Sequence, residues 1–184
     1  MSLSLFLKSL MRNPIGFLRP PMNAGLLWNS CDKSSMATIH LPPDFKEFLK
    51  LLNAQQVEYL LIGGYAVGYY GYPRATADMD IWIAMNPQSA EKVVAILKEF
   101  GFDVPNLSME VFMKPNQIIR MGVPPVRIEI LTTISGVSFE ECYPERVVDE
   151  LEGVEVNLIS LRHLKINKKA FGRHKDLDDL ENLP

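Results

Sequence analysis

The sequence predicts an α/β (α+β) fold on three observations. Amphipathic helical patterns alternate with short apolar runs, glycine and proline bound those runs, and the later runs come in hairpin-like pairs. With 184 residues, 47% apolar and 22% charged, the chain has the composition of a globular protein with one ordinary core. Its formal charge of −3 gives no global reason to expect a nucleic-acid binder, so any polyanion would have to be met by a local basic face. The longest apolar run, Tyr59 to Pro73, is broken by four glycines and falls short of the roughly 20 residues of a membrane span. No membrane association is therefore expected. Cys31 and Cys142 lie far apart and form no metal-ligand or redox pair, so they read as free thiols of a reducing, cytoplasmic compartment.

The first 35 residues carry Lys8, Arg12, Arg19 and Lys33 against a single acid, Asp32, and are interrupted by Pro14, Pro20 and Pro21. A targeting peptide, an arm packed on the domain or a neighbour, and a translated leader upstream of a start at Met36 compete for this composition. The lack of an apolar stretch of signal-peptide length favours the last two, and no chemistry is assigned to residues 1–35.

PPDFKEFLKLLNAQQ, from Pro42 to Gln56, puts Phe45, Phe48, Leu49 and Leu52 on one stripe behind two prolines and Asp44, which predicts an amphipathic helix. Val57 to Gly63 reads as a buried strand, and Gly64 to Tyr72 as a short helix stopped by Gly71 and Pro73. DMDIWIAM, Asp78 to Met85, is the next strand. Asn86 then serves as N-cap and Pro87 as first residue of a helix that buries Val93, Val94 and Leu97 and stops at Gly101. Gln117 to Met121 and Val126 to Leu131 form a hairpin about the GVPP turn from Gly122 to Pro125. A polar connection follows, then a second hairpin around Gly153, a basic helix in LRHLKINKKAF, and a last acidic turn in DLDDLENL.

Two motifs point to chemistry. On a strand, residues two apart share a face, so Asp78 and Asp80 project together with α carbons roughly 7 Å apart, while Met79 and Ile81 face the core. Glu129 would join them if the Gln117 to Leu131 hairpin lies beside this strand. Three such carboxylates without matching cations repel one another and normally hold a hard divalent metal; two ions about 4 Å apart suit phosphoryl transfer. The competing reading is a solvated strand face with Glu129 balanced by Arg127. Gly63 and Gly64, between strand and helix, let backbone N–H groups approach a phosphate closely, or simply make a tight turn. Each motif is weak alone, and the pair is much stronger.

GGYAVGYYGYPRATADMDI resembles the signature of the DNA polymerase β-like nucleotidyltransferase superfamily at Gly63, Gly64, Asp78 and Asp80, with Glu129 of VRIEIL where the family places its third carboxylate. The resemblance covers about residues 43 to 135 as the core of a domain over 36–184, and LKINKKAFGRHKDLDDLENL in the C-terminal part, 146–184, resembles the last helix of small bacterial members. It implies a short mixed sheet with helices packed against it and a site along one sheet edge. It further implies that Asp78, Asp80 and Glu129 are both catalytic residues and ligands of two Mg²⁺ ions, Mn²⁺ being an alternative. They would align an NTP, activate an acceptor hydroxyl and release pyrophosphate, with Glu129 taking the acceptor proton. Gly64 stands where many relatives have serine, and Glu129 where aspartate is common.

Gly63, Gly64, Arg74, Thr76, Lys168 and Arg173 are the candidate nucleotide contacts. Arg74 would orient a carboxylate, touch substrate or close a loop salt bridge. Lys168 falls between Leu161 and Leu164 on the apolar helix face, so it needs an anion, either the triphosphate or the Asp78/Asp80 region, unless it snorkels. Arg173 would contact phosphate or join a structural ion-pair set with Asp176 and Asp179. His40, His163 and His174 read as surface or structural residues.

The leading expectation is a bacterial metal-dependent nucleotidyltransferase of the toxin–antitoxin or phage-defence type, acting on RNA or protein, with oligomerisation left open. The alternatives are an antibiotic-type small-molecule adenylyltransferase, whose members commonly have His where Thr76 stands, and a catalytically idle binding module or antitoxin on the same fold.

Overall fold

The computed structural model describes residues 39–184, so the arm over 1–35 and Cys31 lie outside the described residues. Helix α1, Pro43–Ala54, starts with proline where the first N–H groups need no partner, and it buries Phe45, Phe48, Leu49 and Leu52 as the stripe predicts. Each such side chain contributes roughly 1.5–3 kcal/mol by burial, enough to fix the helix against the sheet. Strand β1, Tyr59–Ile62, is buried at every position and runs straight into α2, Gly63–Tyr69. Strand β2, Asp78–Ile83, is followed by α3, Pro87–Glu99, whose N-cap Asn86 accepts a hydrogen bond from the Ser89 N–H at 2.8 Å.

The first hairpin, β3 (Ile118–Val123) and β4 (Val126–Leu131), forms as expected, but its turn is tighter. Gly122, with φ +77°, still pairs with Arg127, and Val123 with Val126, leaving only Pro124 and Pro125 as the connection. The second hairpin is β5 (Val147–Leu151) and β6 (Val154–Leu158), followed by α6, Leu161–Phe171, ended by left-handed Gly172. The connecting segments, read as irregular, contain two short helices, α4 (Met109–Phe112) and α5 (Phe139–Cys142), anchored by buried Phe112, Phe139 and Cys142. The expected last acidic turn is a nine-residue helix, α7, His174–Asn182. Asp176 and Asp179, one turn apart, point inward and are fully buried.

The strands make one six-stranded mixed sheet in the order β3-β4-β2-β1-β6-β5. The central β1 runs antiparallel to β2 and parallel to β6, while β2 runs parallel to β4. No helix among the described residues is long and apolar enough to cross a membrane.

Candidate active site

Register decides which side chains meet. In the parallel β2/β4 pair, Asp78 lies opposite Arg127 and Asp80 opposite Glu129. In the hairpin, Arg120 of β3 lies opposite Glu129 on its other side. The strands therefore bring all three predicted carboxylates to one sheet face, while Met79, Ile81, Ile128 and Ile130 fill the core from the other. Beside Asp80 stands Ile62, the last residue of β1, so the chain reaches the glycines immediately next to this carboxylate.

Both glycines are required sterically, though by protein atoms. Gly63 has φ +63°, and a β carbon there would lie 1.9 Å from Asp80 Oδ2. A β carbon at Gly64 would lie 2.6 Å from Thr76 Oγ1, so the space a serine side chain would need is filled by Thr76. The Thr76 hydroxyl donates to the Asp78 carbonyl at 3.1 Å, closing the loop ahead of the carboxylates.

The carboxylates are not equivalent. Asp78 accepts from Arg127 Nη2 at 2.7 Å through Oδ2, while its buried Oδ1 meets no donor. Glu129 Oε1 receives Arg120 Nε at 2.8 Å and Arg127 Nη2 at 3.0 Å. Asp80 forms no ion pair among the described residues; burial, then the charges of Glu129 and Asp78, push its pKa up to about 6, against the opposing pull of Lys175 and Lys168. As they stand, no three carboxylate, histidine or cysteine side chains among the described residues converge as a ready metal cage. The two arginines occupy the Glu129 side, which corrects the expectation of a cluster without matching cations. Asp78 and Asp80 nevertheless fit a hard divalent cation: both are oxygen donors, one oxygen is buried and unpartnered, and one carboxylate carries an uncompensated, desolvated charge.

These residues line a cavity of about 250 Å³ with the glycines, Thr76, and six basic side chains, Arg74, Arg120, Arg127, Lys168, Arg173 and Lys175. All six nucleotide-contact candidates thus border one space, but three of their side chains are held by α7. Arg74 makes a two-point contact with Asp179, Nε to Oδ1 at 2.7 Å and Nη2 to Oδ2 at 3.1 Å. Lys168 finds its anion in neither the Asp78/Asp80 pair nor open solvent: Nζ binds Asp176 at 2.9 Å and Asp179 at 2.7 Å, with the residue only 3% exposed. Arg173 Nε holds Asp176 at 2.6 Å. Burial alone would raise the pKa of both aspartates, but these hydrogen bonds outweigh it and hold both below the ordinary carboxylate value.

Sequence reading missed two lining residues. Arg120 was hidden in a strand judged by its apolar neighbours. Lys175, in the first turn of α7, has no ion-pair partner among the described residues.

A family model described as "Nucleotidyl transferase of unknown function (DUF2204)" matches residues 43–184. The chain belongs to this nucleotidyltransferase family. Its α/β sheet also matches a solved structure from Thermotoga maritima, assigned as a nucleotidyltransferase, with a TM-score of 0.52 and 16% identity over 74% of this chain and 87% of that one. At that identity the likeness concerns the fold. An antigenic nucleotidyltransferase-like protein from Paracoccidioides brasiliensis is similar at a TM-score of 0.46, with 20% identity over 74% of this chain and 71% of that one. No curated protein matches the chain. In this nucleotidyltransferase, then, the glycine pair and the carboxylates of β2 and β4 share one basic-walled cavity.

Proposed function

We propose that this nucleotidyltransferase moves a nucleoside monophosphate from an NTP to a hydroxyl of RNA or protein and releases pyrophosphate. The observation that carries this reading is the β2/β4 register, which sets Glu129 beside Asp80 in a cavity bordered by Gly63, Gly64 and the basic side chains. Asp78 and Asp80 would hold Mg²⁺, or Mn²⁺ in its place, with Glu129 as a third ligand; when bound, the ions would neutralise charge developing on the α-phosphate.

The chain's own groups supply the rest. Lys175, without an ion-pair partner among the described residues, reaches the triphosphate from α7, while Lys168 and the Arg74–Asp179 pair hold that helix against the loop before β2. Gly63 and Gly64, which border the same cavity, would offer backbone N–H groups to the phosphates. Glu129, oriented by Arg120 and Arg127, accepts the proton of the acceptor hydroxyl. The hydroxyl oxygen bonds to the α-phosphorus, the α–β bridging bond breaks, and pyrophosphate carries away the electron pair.

A second reading, an idle nucleotidyltransferase fold serving as a binding module, draws on the arginines that already neutralise Glu129 and half of Asp78. Incubation with Mg²⁺, each α-labelled NTP, and cell RNA and protein separates the two. Transfer of label to a macromolecule, reduced on the order of 10³-fold in Asp80→Asn, supports the enzyme reading. NTP binding without transfer favours the idle module, and absence of both metal and NTP binding sinks the enzyme reading.

A further inference from the structure

We infer that the exposed junction of α6 and α7 is a platform for single-stranded RNA, with Phe171 and Arg173 stacking on a base and Lys169 and Lys175 meeting the backbone. This rests on the proposed function and chooses between its two acceptors.

The local charge is the first observation. Between Ser160 and Lys175 the sequence has six lysines and arginines and no acid, within a chain of net charge −3. Four of the six are occupied internally: Arg162 by Glu145, Lys165 by the Pro184 carbonyl, Lys168 by Asp176 and Asp179, and Arg173 by Asp176. Lys169 and Lys175 have no hydrogen-bond or ion-pair partner among the described residues, and every residue from Lys169 to Lys175 is exposed. Such a patch is complementary to a polyanion.

The second observation is aromatic. Phe171 is 48% exposed, and among the described residues no other Phe, Tyr or Trp is in the exposed class. The Arg173 guanidinium lies over its ring at 4.0 Å while Asp176 grips the same guanidinium from the side. Two flat groups are thus stacked and fixed in advance, which lowers the ordering cost of adding a third. Unpaired bases stack on such surfaces, whereas a duplex hides its base faces. An acidic protein partner would use the lysines but gain nothing from the stack.

Position supplies the third. Arg173 and Lys175 also line the catalytic cavity, so the patch is continuous with the site. The cavity itself offers no aromatic surface. Lys169, exposed two residues before Phe171 on α6, is not among the residues that line the cavity.

The test is fluorescence anisotropy with a labelled single-stranded RNA of about ten nucleotides, without NTP or metal, beside a separate titration of Mg²⁺ and NTP. Phe171→Ala should weaken RNA binding about 5- to 100-fold, the range for losing one stacked base, while Phe171→Trp retains it. Lys169→Gln should lower the salt slope by about 0.7, one released counterion on a single strand. A thermal melt checks that each variant is folded. Equal binding of duplex RNA, equal competition by polyglutamate, or no change in Phe171→Ala would overturn the platform. A parallel loss of NTP affinity in Phe171→Ala would overturn it as well, reassigning the ring to the nucleotide's own base. Wild-type protein that binds NTP but no RNA refutes this inference alone; RNA binding without NTP binding refutes the enzyme reading instead.

Discussion

On the α6–α7 side of the cavity all four oxygens of Asp176 and Asp179 meet a lysine or arginine, whereas on the β2–β4 side, among the described residues, Asp78 Oδ1 meets no donor and Asp80 forms no ion pair. The pKa directions follow. Asp176 and Asp179 are held below the ordinary carboxylate value despite burial, and Asp80 is pushed above it. The same ingredients therefore do different things a short distance apart. A matched, buried ion network fixes the frame of the site, while Asp80 and one oxygen of Asp78 are left with binding capacity that folding does not use.

The comparison breaks most visibly at Lys168. Lys168→Met leaves two buried carboxylates short of a partner and should cost about 3–5 kcal/mol in urea unfolding. The loss should shrink in strong acid: the lowered pKa values of Asp176 and Asp179 stabilise the fold above their ordinary 3.8, and that contribution disappears as pH falls through the lowered folded values. An unchanged midpoint would mean that the network is ornamental.

A smaller effect is expected where the two sides meet. In Gly64→Ser the added β carbon meets Thr76, so the substitution should cost about 1–3 kcal/mol and be rescued by Thr76→Ala. Additive losses in the double variant would show that the crowding is not the cause.

Smallest, and opposite in sign, is Asp80→Asn. Because the folded pKa of Asp80 lies near 6, above its ordinary 3.8, the metal-free chain gains stability from this group as pH falls through that window. Removing its charge should therefore raise stability at pH 7.5 by about 1–2 kcal/mol, measured by urea unfolding. A destabilised variant would place Asp80 with the structural aspartates.

Much of the frame was legible in the sequence because it rests on patterns of period two and 3.6. The α1 stripe, the alternation in DMDIWI, the Asn86–Pro87 start of α3 and the basic helix LRHLKINKKAF each express a local physical rule, and all formed where expected. The Asp80/Glu129 meeting was legible only conditionally, since strand adjacency is a long-range choice that a single strand's pattern does not encode. What stayed hidden was pairing. Nothing local tells that Lys168 and Arg74 share Asp179, 11 and 105 residues away, or that Arg120 faces Glu129. DLDDLENL misled because burial of charge depends on partners elsewhere in the chain. Gly64 was read through a phosphate, and its nearest neighbour is Thr76.

The central claim, that Asp78 and Asp80 form a cation site left open by the fold, is tested most directly by titrating Mn²⁺ into the metal-free protein and following free Mn²⁺ by electron paramagnetic resonance. Binding should be present at pH 7.5, weaken by about tenfold per pH unit once pH falls below about 6 as Asp80 takes up its proton, and vanish in Asp80→Asn. Binding that ignores both pH and the substitution, or no binding to the wild type at pH 7.5, would contradict the account.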